Sequence, residues 1–216
     1  MTSSPMPSKS CASKGKSCRK THRSVRDTGR RNRGGDCHMK GQRIGLRALK
    51  REDTEHILRL EQDFESRLMH TPGIPYPVME TDIEKFVDEV RSEKDRYTFG
   101  IELLEDGTFL GICTIFRVDL NHGNCWVSIM IGGPEQRGKG YGTEAMELLI
   151  DWIFRYINVH KIKLGVFGFN QPAIRSYEKS GFVVEARMRE ELFREGKFHD
   201  IIYMGLLRRE YEARKA

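Results

Sequence analysis

Between an apolar run at residues 125–131 and a helical pattern that starts near Tyr141, the chain reads Gln136-Arg137-Gly138-Lys139-Gly140-Tyr141-Gly142-Thr143. Three glycines in five positions leave this backbone free to curl. Beyond it, Ala145, Leu148, Leu149, Trp152, Ile153 and Tyr156 recur on one helical face, and a second apolar run occupies residues 161–169. Strand, helix and strand in that order predict a crossover between parallel strands, which no hairpin can make. The bend also has a chemistry of its own. The first amide protons of a helix lack intrahelical partners and sit at the positive end of its dipole, so the bend offers a cradle for phosphate.

Three phosphate-binding patterns come close to it. Residues 133–140 read G-x-x-x-x-G-K-G, but a P-loop needs Ser or Thr where Gly140 stands, to hold magnesium. Gly140, Gly142 and Ala145 fit G-x-G-x-x-A. The dinucleotide fingerprint also wants an acidic residue about twenty positions on, and residues 161–170 contain no Asp or Glu. The third pattern, Arg/Gln-x-x-Gly-x-Gly/Ala, is met in full by Arg137, Gly140 and Gly142.

Downstream, Asn170-Gln-Pro-Ala-Ile-Arg-Ser-Tyr-Glu-Lys-Ser-Gly-Phe182 ends an apolar run at Asn, adds a short helix carrying Tyr177, and opens the next run with Gly-Phe. With the third loop pattern, this segment resembles the GNAT N-acetyltransferases. The tail, residues 185–211, is similar to the branch that acetylates ribosomal proteins and polyamines. The resemblance covers about residues 42–211. It implies acetyl-CoA as co-substrate, no metal, and direct attack by a primary amine within a ternary complex.

The resemblance also implies roles for particular residues. The strands on either side of the crossover splay, and the pantetheine arm inserts between them. Ile129, Met130 and Ile131 would pair with that arm through their backbone, a free N–H near Met130 or Ile131 facing the thioester oxygen. Gln136, Arg137, Gly138, Lys139, Gly140, Tyr141, Gly142 and Thr143 would hold the pyrophosphate, with Arg137 and Lys139 adding charge. Asn170 would hydrogen-bond the pantetheine. Tyr177 would touch the coenzyme and act as general acid toward its departing thiolate. Read as residues alone, several keep another role open. Asn170 before Pro172 suits a helix N-cap, Arg137 and Lys139 suit a solvated helix start, and Tyr177 suits packing against Gly181 and Phe182.

The rest of the chain predicts an α/β fold of mixed type: a twisted, mostly antiparallel sheet with helices on both faces, as in GNAT domains. Alternation at residues 43–49 gives a first strand, and Ile57, Leu58, Leu60 and Phe64 mark one helix over residues 52–64. Three prolines make residues 71–77 a loop. Thr81 with Glu84 reads as a capping box that starts a helix running to about Ser92. Strands at residues 97–104 and 109–120 join through Asp106-Gly107, and residues 182–193 and 197–207 join through Glu195-Gly196. A short helix is expected over residues 172–180.

At 216 residues the chain can bury one substantial core, so one globular domain, residues 39–216, is expected. Its net charge of +6 is unevenly spread: residues 1–38 carry ten basic against two acidic residues, and the remainder carries 27 against 29. The globular part therefore needs no nucleic-acid partner. The first 38 residues, rich in Ser, Lys and Arg, cannot offset their own ordering entropy and read as a disordered basic extension. They suit an upstream extension with Met39 as the natural start, a transit peptide, or a nucleic-acid-binding arm. No apolar stretch reaches the roughly 18 residues of a membrane span. Cys11, Cys18 and Cys37 lie in the extension. Cys113 and Cys125 read as small core residues of a reducing, cytoplasmic compartment, and no Cys or His spacing suits a metal.

The acceptor is less legible. Glu61, Asp63, Glu65, Asp82, Glu84, Asp88 and Glu89, with Glu190, Glu191 and Asp200, would rim the acceptor cleft that the resemblance places at the early helices and last hairpin. An acidic rim attracts a polyamine or a basic protein N-terminus. An amine-bearing antibiotic, or coenzyme binding without turnover, is the alternative, and a homodimer is open. For a general base, Glu102, Asp119, His122, Ser128 and Glu135 border the expected cleft, Asp119 and His122 foremost.

Overall fold

A computed structural model describes residues 39–90 and 95–216. The basic extension, with Cys11, Cys18 and Cys37, and the expected helix end at Ser92 lie outside the described residues. The strands are β1 (Met39–Lys40), β2 (Ile44–Ala48), β3 (Tyr97–Leu103), β4 (Phe109–Asp119), β5 (Asn124–Ile131), β6 (Lys161–Phe167), β7 (Val183–Arg194) and β8 (Lys197–Leu207). The helices are α1 (Asp53–Gln62), α2 (Phe64–His70), α3 (Glu80–Val90), α4 (Tyr141–Tyr156), α5 (Gln171–Lys179) and α6 (Arg208–Lys215).

Eight strands form one sheet in the order β1-β2-β3-β4-β5-β6-β8-β7. Every pairing is antiparallel except β5 with β6, the two strands joined by the α4 crossover. The expected sheet is therefore present, parallel only where a helix intervenes. Alternation along β4 divides it between the two layers: Cys113 and Ile115 face the large core beneath α4, while Ile112 faces Leu49, Ile57, Ile83 and Val87 beneath α1 and α3.

Three differences from the sequence expectation matter for the site. The single helix expected over residues 52–64 breaks at Asp63, whose extended backbone (φ −71°, ψ 99°) separates α1 from α2. Short polar residues such as Asp favour this kind of local break. The third helix starts at Glu80, one residue before Thr81, and Asp82 rather than Thr81 receives the Met79 N–H, at 3.2 Å. Finally, α6 closes the chain without any apolar periodicity to announce it.

α1 is anchored to the sheet by a buried ion cluster. Arg47 Nη1 and Nη2 donate to the two oxygens of Asp53 at 2.7 and 2.8 Å, and its Nε donates to Glu102. The Arg47 and Asp53 side chains are only 5% and 4% exposed. This anchor fixes where α1 begins.

Candidate active site

β5 and β6 pair for only three residues. Asn124, Cys125 and Trp126 align with Lys161, Ile162 and Lys163, and past that point the strands part. Ile129, Met130 and Ile131 remain paired to β4, through Cys113, Ile112 and Gly111, while their other edge faces the gap. Gly111 makes that pairing close: a Cβ there would stand 2.0 Å from the Met130 carbonyl oxygen. A cavity of about 530 Å³ opens from the gap.

The glycine bend forms one end of this cavity. Gly138 and Gly140 have φ of +74° and +84°, a left-handed region that an L side chain adopts only with strain. Gly140 is the residue before α4, and no side chain caps that helix start. Arg43 braces the bend from behind. Its Nη1 donates to the Lys139 carbonyl at 2.8 Å, and Glu144 holds Arg43 through Nε at 3.0 Å and through the Gln42 and Arg43 backbone N–H groups, each at 2.8 Å. A trans peptide points its N–H opposite to its C=O, so the Gly140 N–H is aimed away from Arg43. Sequence reading missed Arg43, because a lone Arg before a strand carries no spacing signal.

The structure gathers Ile129, Met130, Ile131, Gln136, Arg137, Gly138, Gly140, Tyr141, Gly142, Thr143, Asn170 and Tyr177 around the one cavity. Lys139 alone of the expected set does not line it. Its carbonyl is turned to Arg43 and its side chain is exposed. Gln136 Oε1 is buried without a hydrogen-bond partner, an acceptor left for a ligand donor. On α5, Arg175 and Lys179 sit one helical turn apart and line the same cavity, cations that the sequence reading passed over as helix surface.

Two residues keep the second role left open for them. Asn170 accepts the Ala173 N–H at 3.3 Å as the N-cap of α5, and its Nδ2 reaches the Met69 carbonyl at 3.4 Å. Tyr177 is half-buried and packs edge-on against Phe182, ring centres 6.1 Å apart. Burial pushes its phenol up to about 12.

The acceptor side differs from expectation. Ser66, Met69 and His70 of α2 line the cavity together with Phe167 and Phe169, and no Asp or Glu does. The expected acidic rim is partly neutralised within the fold. Glu61 pairs with Arg67 at 2.7 Å and with His70 Nε2 at 3.2 Å; burial works against its charge, but His70 and Arg67 hold its carboxyl below the ordinary value. Asp200 pairs with Arg187 at 2.9 Å and Asp88 with Arg51 at 3.7 Å. His70 Nδ1 is 2.7 Å from the Ser66 carbonyl, so both ring nitrogens are engaged within the fold.

Of the five candidate bases, only Ser128 reaches the cavity. Asp119 accepts the His122 N–H at 2.9 Å in the β4–β5 turn, at the far end of β5 from the gap, so the two foremost candidates are removed from the chemistry. Glu102 is engaged by Arg47. Among the described residues, no group of three or more His, Cys, Asp or Glu could hold a metal, and no helix is long and apolar enough to cross a membrane.

Known proteins resemble this chain in both sequence and fold. A family model described as an acetyltransferase (GNAT) domain matches residues 43–183, more than half of the sequence. The spermidine N(1)-acetyltransferase of Escherichia coli K12 is 29% identical over 170 residues, covering 79% of this chain and 89% of that protein. A crystal structure of spermidine N-acetyltransferase from Vibrio cholerae with CoA and spermine superposes with a TM-score of 0.72 at 27% identity, covering 78% of this chain and 98% of that one. A dodecameric form of the Vibrio cholerae enzyme gives 0.67 at 28% identity over 80% and 98%. Parted strands, a glycine-opened bend and this shared sequence have one common explanation: the chain belongs to the GNAT family and is an acetyl-CoA-dependent N-acetyltransferase.

Proposed function

We propose that residues 39–216 transfer the acetyl group of acetyl-CoA to a primary amine of a small polyamine. The observation that carries this is the parting of β5 and β6 beside an uncapped, glycine-opened helix start. Backbone amides of the bend, with Arg137, take the diphosphate, and the free edge of Ile129, Met130 and Ile131 takes the pantetheine arm. An N–H of that edge, fixed before the reaction, stabilises negative charge on the thioester oxygen. The amine forms its C–N bond as the C–S bond breaks, and loses its extra proton to water. Tyr177 gives its phenolic proton to the leaving sulfur.

The proton transfer is balanced by the setting. Burial that pushes the phenol up to about 12 also pushes the Cys125 thiol up to about 12. Burial raises both kinds of acid, so a coenzyme thiolate formed beside Tyr177 can take the phenolic proton. Because Tyr177 stays protonated across the ordinary range, rate should climb with pH as the amine, near pKa 10, loses its proton, with no alkaline fall from this phenol below about pH 11. The free, fully buried thiols Cys113 and Cys125 suit a reducing, cytoplasmic setting. The dodecameric relative supports self-association.

A second acceptor, a protein N-terminus, is favoured by the cavity lining, where Met69, Phe167 and Phe169 stand in place of carboxylates. An acceptor screen with acetyl-CoA separates the two. Spermidine and spermine should be acetylated at kcat/KM at least about tenfold above N-terminal peptides and aminoglycosides, a difference of about 1.4 kcal/mol. Preference for the peptides would move the assignment to protein N-termini.

The glycines offer an independent check. A Cβ on Gly142 would rest at 3.5 Å from Ile131 Cγ1, an ordinary contact, whereas one on Gly140 would be strained at φ +84° and crowd Arg43 at 3.3 Å. Gly142→Ala should therefore leave CoA affinity within about twofold. Gly140→Ala should weaken it about 5- to 30-fold, the cost of a left-handed Ala. Titration calorimetry reads both.

A further inference from the structure

Arg137 is held by a two-step relay from the break between α1 and α2. Its Nη2 donates to the Ser66 hydroxyl, and Ser66 donates its own proton to Asp63 Oδ2. A hydroxyl has one proton, so giving it to Asp63 leaves the Ser66 oxygen as a pure acceptor turned to the guanidinium. Asp63 Oδ2 also lies 3.7 Å from Arg137 Nη2. The Ser66 hydroxyl, and less strongly the Arg137 charge, hold the Asp63 carboxyl below the usual range, although burial opposes them. Ser66 is 4% exposed and lines the cavity beside Arg137; Asp63 does not line it. A second contact seats the same break on the bend: a Cβ on Gly132 would stand 3.0 Å from Leu60 Cδ2 of α1.

We propose that Asp63 and Ser66 are positioning residues for acetyl-CoA, fixing the Arg137 guanidinium before the diphosphate arrives. The inference rests on the reading that Arg137 holds that diphosphate. A free arginine side chain samples many rotamers, and immobilising one such chain on binding costs roughly three- to tenfold in affinity. The relay removes that cost in advance. It engages one of the guanidinium's five N–H groups, which leaves donors for an anion. Asp63 could instead compete with the diphosphate for Arg137, and that alternative has the opposite sign.

The test measures dissociation constants for CoA and for pantetheine, which lacks the diphosphate, on the full chain, the weaker ligand by displacement. Ser66→Ala and Asp63→Ala should each weaken CoA by about three- to tenfold and leave pantetheine unchanged. Asp63→Asn should stay near wild type, because its amide oxygen still accepts the Ser66 proton. Ser66→Ala should add nothing in an Arg137→Ala background. Unchanged or tighter CoA binding in Ser66→Ala and Asp63→Ala, beside a normal loss in Arg137→Ala, overturns the inference alone, as do equal losses for CoA and pantetheine. Unchanged CoA binding in Arg137→Ala overturns the assignment of Arg137 to the diphosphate, and the inference with it.

Discussion

Tyr177→Phe is expected to lower kcat by about 100- to 10,000-fold, the usual worth of a positioned general acid, while CoA affinity stays within about twofold. The ring keeps its packing against Phe182 when only the hydroxyl is removed, and no described residue makes a hydrogen bond to that hydroxyl. Removing it therefore leaves no buried partner unsatisfied, and the loss should fall on chemistry rather than on folding. Steady-state rates with calorimetry separate the two quantities. A variant that loses binding and turnover equally would assign Tyr177 to coenzyme packing and leave the acid unidentified. The sulfur would then take its proton from water.

Arg47→Ala is expected to cost about 3–5 kcal/mol of folding stability, the range seen when one partner of a buried ion pair is removed. Two carboxylates, Asp53 and Glu102, share this guanidinium, and the Asp53 side chain is 4% exposed. Burial works to raise the Asp53 carboxyl, but the Arg47 hydrogen bonds and the Lys50 backbone N–H hold it below its ordinary value. A depressed carboxyl contributes stability above its unfolded value of about 3.9 and loses it as pH falls through the folded one. The gap between wild type and Arg47→Ala should thus be full at pH 7 and narrow below about pH 4. Urea denaturation across that range reads it. A gap that persists at low pH would mean that the loss comes from packing, through the contact of Arg47 with Phe109, rather than from charge. Adding Asp53→Asn to Arg47→Ala should recover part of the loss, since Asn still accepts the Lys50 N–H without a buried charge.

How much of this was visible in the sequence depends on how local the cause is. The glycine bend, the crossover helix and the Asn170-to-Phe182 segment are local: glycine φ, a 3.6-residue period and a capped helix are each encoded within a dozen residues, and each appeared where expected. α2 was missed because its position depends on Asp63 breaking a helix and on Arg137, 71 residues away from Ser66 in sequence, receiving the free end. Arg43 behind the bend and Arg194, which donates to the Thr71 and Gly73 carbonyls of the proline loop, are hidden for the same reason. The acidic rim failed differently. Composition counts carboxylates without showing which cations stand opposite them, and Arg67, Arg187, Arg51 and Arg137 stand opposite four of the ten.

The central claim is that this chain joins an acetyl group from CoA to an amine in one ternary complex. It is tested most directly by following thiol release and acetylated amine together by mass spectrometry, with spermidine as acceptor. One free CoA per acetyl-amine formed is expected, with no turnover without both partners and no acetyl group retained on the enzyme. Thiol release without an acetylated amine, or a stable acetyl-enzyme formed from acetyl-CoA alone, would contradict it.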